Sequence, residues 1–473
     1  MDWNREIVIQ KLIEAVGNPA RVLTEVQDIY SYSFDASFGV YKPDVVCQPM
    51  ATEEVVEIVK VAGQYAVPVV ARGTGTSLSG GPLPVRGGIV LDFSLWNTKL
   101  EIDPDDLIAV VSPGVITSKI NEKANEFGLM YPPDPSSAHV STIGGNLAEN
   151  AGGPRGLKYG VTKDYVLGLE VVTAEGKIIK TGGRTVKNVT GYDLTKLIVG
   201  SEGTLCIITE ATLRLIPKPP ATKTAMVLFD ELVDSGRAIS KVLRAGIIPS
   251  KMEIMDKHSL IAVEEYASLG LPTDVEAILL IELDGHPLAI EEEMKRVADA
   301  CLGANARNVK VAKNDLEEQQ LWQARKLVSP AIVKIKPTKI SEDATVPRSK
   351  IPEMFQRLKE IREKYDVHLV VFGHAGDGNL HPNIIADQRD EEEMRRVELA
   401  VEEIFEAAVM LGGTLSGEHG IGLMKSPFME MELGSDGLHM MKLIKDAWDP
   451  QNMLNPGKIF PEPGQRFELR HDE

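Results

Sequence analysis

The sequence predicts an α+β fold in two parts, and three observations indicate it. Short strand patterns, helices and glycine-rich loops alternate from about Tyr41 to Pro220. A proline cluster at residues 217–220 then interrupts the pattern and is the strongest candidate domain boundary in the chain. Beyond it, strand patterns alternate with amphipathic helices, which favours a mostly antiparallel sheet covered by helices. The four strand patterns span residues 226–229, 251–255, 275–284 and 309–312.

Individual elements follow from hydrophobic spacing. The first forty residues are predicted to be helical because apolar side chains recur there at helical intervals. These residues are Val8, Leu12, Ile13 and Val16. Thr52 and Glu54 begin a helix predicted to run to about Tyr65, and residues 67–71 predict a buried strand. The charged run 387–396 is predicted to open a long helix that ends near residue 411, with its charges on a solvated face.

Composition excludes several classes of function. A formal net charge of −18 argues against nucleic-acid binding, because a surface that follows phosphates needs a basic stripe. A substrate that carries a carboxylate would need a local positive pocket within this negative field. No apolar run approaches the length of a transmembrane segment, and the first six residues do not resemble a signal peptide. We therefore expect a cytoplasmic protein, either free or held at a membrane through a partner.

The three cysteines lie far apart, with no Cys-x-x-Cys spacing. This pattern predicts neither a disulfide framework nor an iron–sulfur cluster. Any electrons that the protein handles must therefore pass to another molecule.

Two histidines seven residues apart form the most informative motif. His374 and His381 flank a Gly/Asp/Asn turn, with an apolar run at 369–372 before it and another at 383–385 after it. This pattern predicts a β-hairpin on which the two imidazoles face each other. The alternative is that the histidines only cap a strand and pack at a turn.

A second motif, Ser416 to Gly420, follows 37 residues after His381 and contains Glu418 and His419. Glu418 would complete a set of two histidines and one carboxylate, which leaves coordination positions open for chemistry. His419 would then be available to move protons. The ligand set suits zinc, manganese or ferrous iron.

Three segments rich in glycine and other small residues form another pattern. They span residues 72–81, 132–156 and 200–208. The first follows a predicted strand directly but lacks the G-x-G-x-x-G spacing and a helix-forming continuation. One such segment alone is more often a turn than a site. Three segments without bulky side chains imply an elongated ligand that the backbone approaches closely.

The chain around these segments, at residues 72–81, 132–160 and 200–215, resembles the three FAD-contacting segments of the vanillyl-alcohol-oxidase and p-cresol-methylhydroxylase (PCMH) type of flavoprotein. The two histidine motifs resemble the C-terminal half of one group within it, which comprises the flavoprotein subunit of glycolate oxidase together with D-lactate dehydrogenase and D-2-hydroxyglutarate dehydrogenase. The resemblance runs from about Tyr41 to Phe460. It implies an N-terminal helical segment (1–40), a two-subdomain FAD-binding domain (41–219), a substrate or cap domain with an antiparallel sheet and the metal site (220–420), and a C-terminal segment that packs back on the FAD domain (421–473).

The resemblance also implies the cofactor and its contacts. Many relatives link the flavin to a histidine in the first segment, where this chain has Thr74 and Thr76, so we expect FAD to be bound non-covalently. The residues that correspond to cofactor contacts are Arg72, Gly73, Thr74, Gly75, Thr76, Ser77, Gly80, Pro133, Asp134, Ser137, Thr142, Gly144, Gly145, Asn146, Gly153, Gly156, Gly160, Val161, Glu202, Gly203, Ile208 and Asn455.

The chemistry of the candidate residues agrees with oxidation of a 2-hydroxy acid. Such a reaction sends the α-hydrogen to a flavin as hydride and the hydroxyl proton to a base, for which His419 is the candidate. A metal on His374, His381 and Glu418 would lower the pKa of the substrate hydroxyl. By resemblance, Arg325 would bind the carboxylate, and Ser329, Lys339 and Asn383 would contact the substrate; a surface role for Arg325 is the alternative.

The sequence therefore predicts an FAD-dependent, metal-assisted dehydrogenase of a small D-2-hydroxy acid, D-lactate or glycolate. The expected electron acceptor is a protein, either an iron–sulfur subunit or an electron-transferring flavoprotein. The alternatives are a D-2-hydroxyglutarate dehydrogenase, a non-redox FAD transferase of the alkyl-dihydroxyacetone-phosphate synthase kind, and a catalytically silent FAD-carrying subunit.

Overall fold

A computed structural model describes residues 3–469 of the chain. In that part of the chain the strands are β1 (Val22–Leu23), β2 (Val45–Cys47), β3 (Val69–Arg72), β4 (Ile89–Asp92), β5 (Leu100–Asp103), β6 (Ile108–Val111), β7 (Leu129–Met130), β8 (Val166–Thr173), β9 (Ile178–Gly182), β10 (Cys206–Arg214), β11 (Ile216–Pro217), β12 (Ala221–Phe229), β13 (Lys251–Asp256), β14 (Ala277–Gly285), β15 (Asn308–Val311), β16 (Thr338–Ser341), β17 (Ala344–Thr345), β18 (His368–His374) and β19 (Asn379–Ala386). The α-helices are α1 (Arg5–Val16), α2 (Val26–Ile29), α3 (Thr52–Tyr65), α4 (Thr117–Asn125), α5 (Ile143–Glu149), α6 (Gly156–Tyr159), α7 (Leu194–Ile198), α8 (Leu232–Arg244), α9 (Lys257–Ala267), α10 (Pro287–Leu302), α11 (Asp315–Lys326), α12 (Val328–Ile332), α13 (Ile351–Tyr365), α14 (Glu391–Met410) and α15 (Met429–Trp448).

The chain forms two compact units. Among the described residues, the first contains residues 3–151, 161–218 and 418–469; the second contains residues 152–160 and 219–417. Within residues 3–469, no helix combines the length and the apolar composition needed to cross a membrane.

Two large sheets build the first unit, together with the small antiparallel sheet of β7 and β11. A four-stranded sheet has the order β1-β2-β4-β3, with β2, β4 and β3 parallel and β1 antiparallel at its edge. A five-stranded sheet has the order β5-β6-β10-β8-β9 and is antiparallel throughout. Helices α1 and α3 bury apolar faces against the first sheet in one core, which includes Leu12, Ile58 and Leu91.

The predicted helix over residues 52–65 is confirmed as α3, whose first turn carries Glu53 and Glu54 near the positive end of the helix dipole. The prediction that the first forty residues are helical is wrong beyond α1. Gly17 adopts a left-handed conformation (φ +68°), which ends α1. Pro19 follows, and residues 17–40 contain only short turns, β1 and the four-residue α2.

One glycine segment is not a simple loop. Helix α5 begins within it, although Gly144 and Gly145 in its first turn led us to predict an irregular loop. Ile143 and Leu147 lie one helical turn apart and are both fully buried, so tertiary packing outweighs the low helix propensity of glycine here.

The second unit is built on one eight-stranded sheet of order β15-β12-β14-β13-β18-β19-β16, in which β17 also pairs with β19. Its strand pairs are antiparallel, as predicted. The four predicted strand segments correspond to β12, β13, β14 and β15. Helices α9, α11 and α12 cover one face, in a core that includes Met255, Phe372 and Ile385.

Candidate active site

The two histidines of the central motif lie on a hairpin in the second unit. Strands β18 and β19 pair in the register Phe372↔His381 and His374↔Asn379, so the histidines are diagonal neighbours on one face. Both are buried, and their ring centroids are 4.9 Å apart. The predicted hairpin is therefore confirmed.

The residues before Glu418 are fixed by a buried aspartate. Asp343 is fully buried, and its Oδ2 accepts hydrogen bonds from the backbone N–H of Gly417 (2.9 Å) and the hydroxyl of Ser416 (3.3 Å). Sequence reasoning missed Asp343. The only local signal is the acidic pair Glu342-Asp343, which stands between Ser341 and Ala344.

Glu418 directly follows Gly417. One ligand atom each from His374, His381 and Glu418 lies within 4.8 Å of the other two. Two imidazole nitrogens and one carboxylate oxygen fit a divalent transition-metal ion and leave coordination positions for a substrate. Among residues 3–469, this is the one group of three or more such side chains at that spacing.

Glu253, on β13, is the second residue that sequence reasoning missed. Its carboxylate is fully buried and contacts two predicted site residues: Oε1 lies 2.7 Å from His374 Nδ1, and Oε2 lies 2.8 Å from Arg325 Nε. Burial alone would raise the pKa of Glu253, but His374 and Arg325 together hold that pKa below its ordinary value. The signal available in the sequence is a single acidic residue within the apolar strand 251–255.

Arg325, in the last turn of α11, is largely buried and is not a surface residue. Its side chain is 12% exposed, and its guanidinium lies 4.7 Å from the centroid of the Phe372 ring. Because Nε is engaged by Glu253, the two terminal nitrogens form the side of the fork that a carboxylate could bind.

Three further candidates lie in the second unit. Asn383 is fully buried, its amide donates to the carbonyl of His381 (2.9 Å), and its Oδ1 has no partner among the described residues. Lys339 Nζ donates to Ser329 Oγ at 2.9 Å, and burial lowers the pKa of Lys339. Lys339 is opposite Ile385 in the sheet, so it is on the same face as His381 and Asn383.

The first unit contains the other two kinds of candidate, the general base and most of the flavin contacts. His419 follows Glu418, and its backbone carbonyl accepts a hydrogen bond from Ser79 Oγ at 2.9 Å. The first glycine loop, which follows β3, packs against the segment that precedes α5: Thr74 Oγ1 donates to the Val140 carbonyl at 3.0 Å. A Cβ on Gly73 would overlap the hydroxyl of Thr142, so this approach requires glycine.

Two buried polar atoms beside these loops fit a diphosphate. Arg72 Nη1 and Thr142 Oγ1 are buried without a hydrogen-bond partner among the described residues. Buried polar groups of this kind are nearly always satisfied, and phosphate oxygens would accept hydrogen bonds from both. The residues present therefore fit a bound dinucleotide in the first unit.

A buried acidic cluster lies beneath the loops. Glu202 accepts hydrogen bonds from the backbone N–H groups of Ile421 and Gly422, both at 2.7 Å. Asn455 donates to the carbonyls of Gly81 (2.9 Å) and Glu202 (2.7 Å), which ties the C-terminal segment to two glycine segments.

Within this cluster, burial and the neighbouring charge of Glu202 raise the pKa of Glu149 well above its ordinary value. Glu149 was not predicted as a site residue. Its only sequence signal is its position in the small-residue segment before Asn150.

The remaining predicted flavin contacts divide between the units. The segment 152–160 belongs to the second unit, where a Cβ on Gly156 would overlap the carboxylate of Asp377 in the hairpin turn. That segment contains Gly153, Gly156 and Gly160. The first unit contains Gly73, Gly75, Thr76, Ser77, Gly80, Pro133, Asp134, Ser137, Gly144, Gly145, Asn146, Val161, Gly203 and Ile208.

Comparison with known proteins shows the family of this chain. Residues 43–182 match a family model described as FAD binding domain, and residues 218–459 match FAD linked oxidases, C-terminal domain. The chain is 49% identical over 436 residues to glycolate oxidase subunit GlcD of Bacillus subtilis (strain 168), which covers 92% of this chain and 93% of that protein. It is 38% identical over 442 residues to D-lactate dehydrogenase of Archaeoglobus fulgidus, covering 91% and 95%.

Solved structures confirm the predicted fold class. The chain resembles p-cresol methylhydroxylase with substrate bound, at a TM-score of 0.79 and 18% identity, over 98% of both chains. It also resembles alkyldihydroxyacetonephosphate synthase, at a TM-score of 0.74 and 19% identity, over 95% of this chain and 84% of that one. The predicted resemblance is confirmed: two matched family models and close relatives over most of its length show that this chain belongs to the family of FAD-linked oxidases and is an FAD-binding oxidoreductase.

Proposed function

We propose that this protein oxidises a small D-2-hydroxy acid, D-lactate or glycolate, to the 2-oxo acid with the aid of a divalent metal ion. The observation that carries the proposal is the cluster of His374, His381 and Glu418, with Arg325 linked to His374 through Glu253. One buried acid, Glu253, contacts both a metal-ligand candidate and the arginine that could bind a carboxylate. Such a site suits a substrate that carries a hydroxyl and a carboxylate on adjacent carbons.

Arg325 would bind the substrate carboxylate. The protein is acidic overall, so a carboxylate needs a local cation, and the terminal nitrogens of Arg325 supply one in a planar geometry. Glu253 and Phe372 fix the side chain before substrate arrives, which lowers the entropy lost on binding. Asn383, with a buried oxygen that has no partner among the described residues, would accept a hydrogen bond from the substrate.

His419 would accept the proton of the substrate hydroxyl as the general base. The hydrogen bond from Ser79 to its backbone carbonyl fixes the loop that carries it. Bound FAD supplies the acceptor that takes the α-hydrogen as a hydride. The metal ion, held by His374, His381 and Glu418, supplies positive charge that favours loss of the hydroxyl proton.

The electrons would then pass to a separate protein, an iron–sulfur subunit or an electron-transferring flavoprotein. The three cysteines are buried in different parts of the chain, and none is near another in sequence. FAD would be bound non-covalently, because Thr74 and Thr76 stand where relatives with a covalent link carry a histidine. Release of the flavin into the supernatant on acid precipitation would support this; flavin in the pellet would contradict it.

One observation favours a second substrate, D-2-hydroxyglutarate. Lys339 is on the same sheet face as His381, is partly buried and is held by Ser329. A lysine there could pair with a second carboxylate. A dicarboxylate would then be preferred over D-lactate.

The test is anaerobic mixing of the metal-replete protein with D-lactate, L-lactate, glycolate and D-2-hydroxyglutarate, with oxidised flavin followed by absorbance. We expect bleaching with D-lactate or glycolate and none with L-lactate. Faster bleaching by D-2-hydroxyglutarate would select the second substrate. Absence of bleaching with all four acids would contradict the proposed function.

A further inference from the structure

The contacts of Glu253 connect two parts of the candidate site that are far apart in sequence. Its two carboxylate oxygens divide between His374, 121 residues away, and Arg325, 72 residues away. Strand β13 pairs with β18 in the register Ile254↔Gly373 and Met255↔Phe372. This pairing places Glu253 beside His374 on one face of the sheet.

The surroundings of Glu253 leave its carboxylate little freedom. Glu253 is 0% exposed, and the side chains of both partners are largely buried. The exposed fraction is 3% for His374 and 12% for Arg325. Phe372 packs against the Arg325 guanidinium. A buried carboxylate with two hydrogen-bonded partners is a rigid support, because breaking either contact would leave a charge without compensation in an apolar core.

We propose that Glu253 is a positioning residue that fixes both the metal ligand and the carboxylate-binding arginine. It accepts a hydrogen bond from Nδ1 of His374, which sets the tautomer in which Nε2 is the ligand nitrogen. It accepts a second from Nε of Arg325, which turns the terminal nitrogens toward a substrate. The inference rests on the proposed function, since it assigns a support to the same site.

The same sheet offers a matched control. Glu282, on β14, is also a buried acid with an ion-pair partner, because Oε2 lies 2.9 Å from Lys251 Nζ and the side chain is 8% exposed. Glu282 is opposite Lys251 in the register, whereas Glu253 is opposite Leu280. A change at Glu282 therefore removes a buried charge of the same sheet without touching His374 or Arg325.

The experiment compares Glu253→Gln, Glu253→Asp and Glu282→Gln with the wild type as FAD-containing proteins. Chelator-treated protein is titrated with Zn²⁺ and, separately, Mn²⁺ against a competing chelating dye. We expect Glu253→Gln to weaken metal binding by about 10- to 100-fold, the usual effect of removing the partner of a ligating histidine. Glu253→Asp, which keeps the charge but shortens the reach, should fall between Glu253→Gln and the wild type. Glu282→Gln should bind metal as the wild type does.

A second readout separates positioning from a general loss of structure. In anaerobic stopped-flow reduction, Glu253→Gln should also raise the substrate concentration needed for half-maximal flavin reduction, because Arg325 loses its support. Metal affinity and substrate dependence within about twofold of wild type in Glu253→Gln would overturn the inference, since linked residues normally change by more than this. Loss of FAD from both Glu253 variants, but not from Glu282→Gln, would overturn it too by assigning Glu253 a purely structural role.

Failure of the proposed function looks different in the same experiment. In that case the wild type itself would fail to bind Zn²⁺ and Mn²⁺, or hydroxy acids would not reduce its flavin. A wild type that binds metal and is reduced, beside an unaffected Glu253→Gln, contradicts only the role of Glu253.

Discussion

Glu253 in the second unit and Glu149 in the first have neighbouring charges that shift their pKa values in opposite directions. Glu253 in the second unit contacts a histidine and an arginine, and its pKa is below the ordinary value. Glu149 in the first unit has another acid, Glu202, as its charged neighbour, and its pKa is well above the ordinary value. Glu253 is fully buried and Oε2 of Glu149 is buried, so burial raises the pKa of both; the cationic neighbours of Glu253 outweigh this effect, whereas Glu202 adds to it at Glu149.

This difference fits the roles proposed for the two units. In the second unit a charged acid on a regular strand would orient the groups proposed to meet the substrate, and strands hold side chains more precisely than loops do. In the first unit the glycine loops would meet the cofactor mainly through backbone, and an acid with a raised pKa would place less negative charge near a diphosphate. Substitutions in each unit test the two settings, beginning with the largest expected effect.

The largest effect is expected from His374→Ala, which removes a ligand candidate and one partner of Glu253. Turnover should fall by roughly three orders of magnitude, the scale of several kcal/mol of charge stabilisation. Bound metal should be lost and FAD retained, because most of the predicted flavin contacts belong to the first unit. Metal analysis and flavin absorbance measure both.

The control is His368→Ala, at the other end of the same strand. It should keep both the metal and the turnover. Wild-type turnover in His374→Ala would show that the reaction does not need the metal site.

His419→Gln should have the next largest effect, because it removes only the proton acceptor. Flavin reduction should slow by roughly two to four orders of magnitude, the scale of general-base catalysis, while the substrate still binds. Stopped-flow reduction across substrate concentrations separates the two effects. The exposed His439→Gln serves as control and should behave as the wild type. Reduction at the wild-type rate in His419→Gln would show that the proton goes elsewhere.

Gly145→Val tests the first unit. A Cβ there has only Thr142 Oγ1 nearby, at 3.6 Å, so the protein itself tolerates a side chain at this position. Most of the flavin should be lost, because the valine would fill space that the cofactor needs. Gly183→Val, where a Cβ would have no other atom within 4 Å, should keep its flavin. Full flavin content in Gly145→Val would mean that FAD does not lie along this segment.

Glu149→Gln should give the smallest effect, on stability alone. A carboxyl whose folded-state pKa is raised contributes stability that is fully present below its unfolded pKa and is lost as the pH rises through the folded value. Glutamine cannot ionise, so the variant escapes this loss. The unfolding midpoint of the variant minus that of the wild type should therefore increase by about 1 to 3 °C between about pH 5 and pH 8.

The control for this effect is Glu253→Gln, which removes a carboxyl whose folded-state pKa is lowered, so the same difference should not increase with pH. A difference for Glu149→Gln that stays flat or decreases would show that Glu149 is ionised in the folded protein.

The hairpin with His374 and His381 could be predicted because its signals are local. A Gly/Asp/Asn turn between two apolar runs specifies both the strands and their register over about ten residues. Glu253 and Asp343 could not be predicted, because their roles depend on contacts with residues 72 to 121 positions away in the sequence. A single acid within an apolar strand indicates a position of this kind, but the sequence does not show which residues it contacts.

Two predictions were wrong in opposite directions: α5 is a helix where a loop was predicted, and the region after Gly17 is not the helix that was predicted. Gly144 and Gly145 favoured the prediction of a loop, but the burial of Ile143 and Leu147 stabilises a helix there. Apolar spacing before residue 17 suggested more helix than the following glycine and proline allow. Both errors arise where local propensity and tertiary packing disagree.

The most direct test of the central claim, that metal and flavin act in one hydroxy-acid oxidation, is single-turnover flavin reduction by D-lactate or glycolate in three samples. These are the metal-replete protein, the chelator-treated protein with its FAD retained, and the treated protein after Zn²⁺ or Mn²⁺ is returned. We expect fast reduction in the first sample, reduction slower by roughly a hundredfold or more in the second, and recovery in the third. Equal rates in all three samples would contradict the claim.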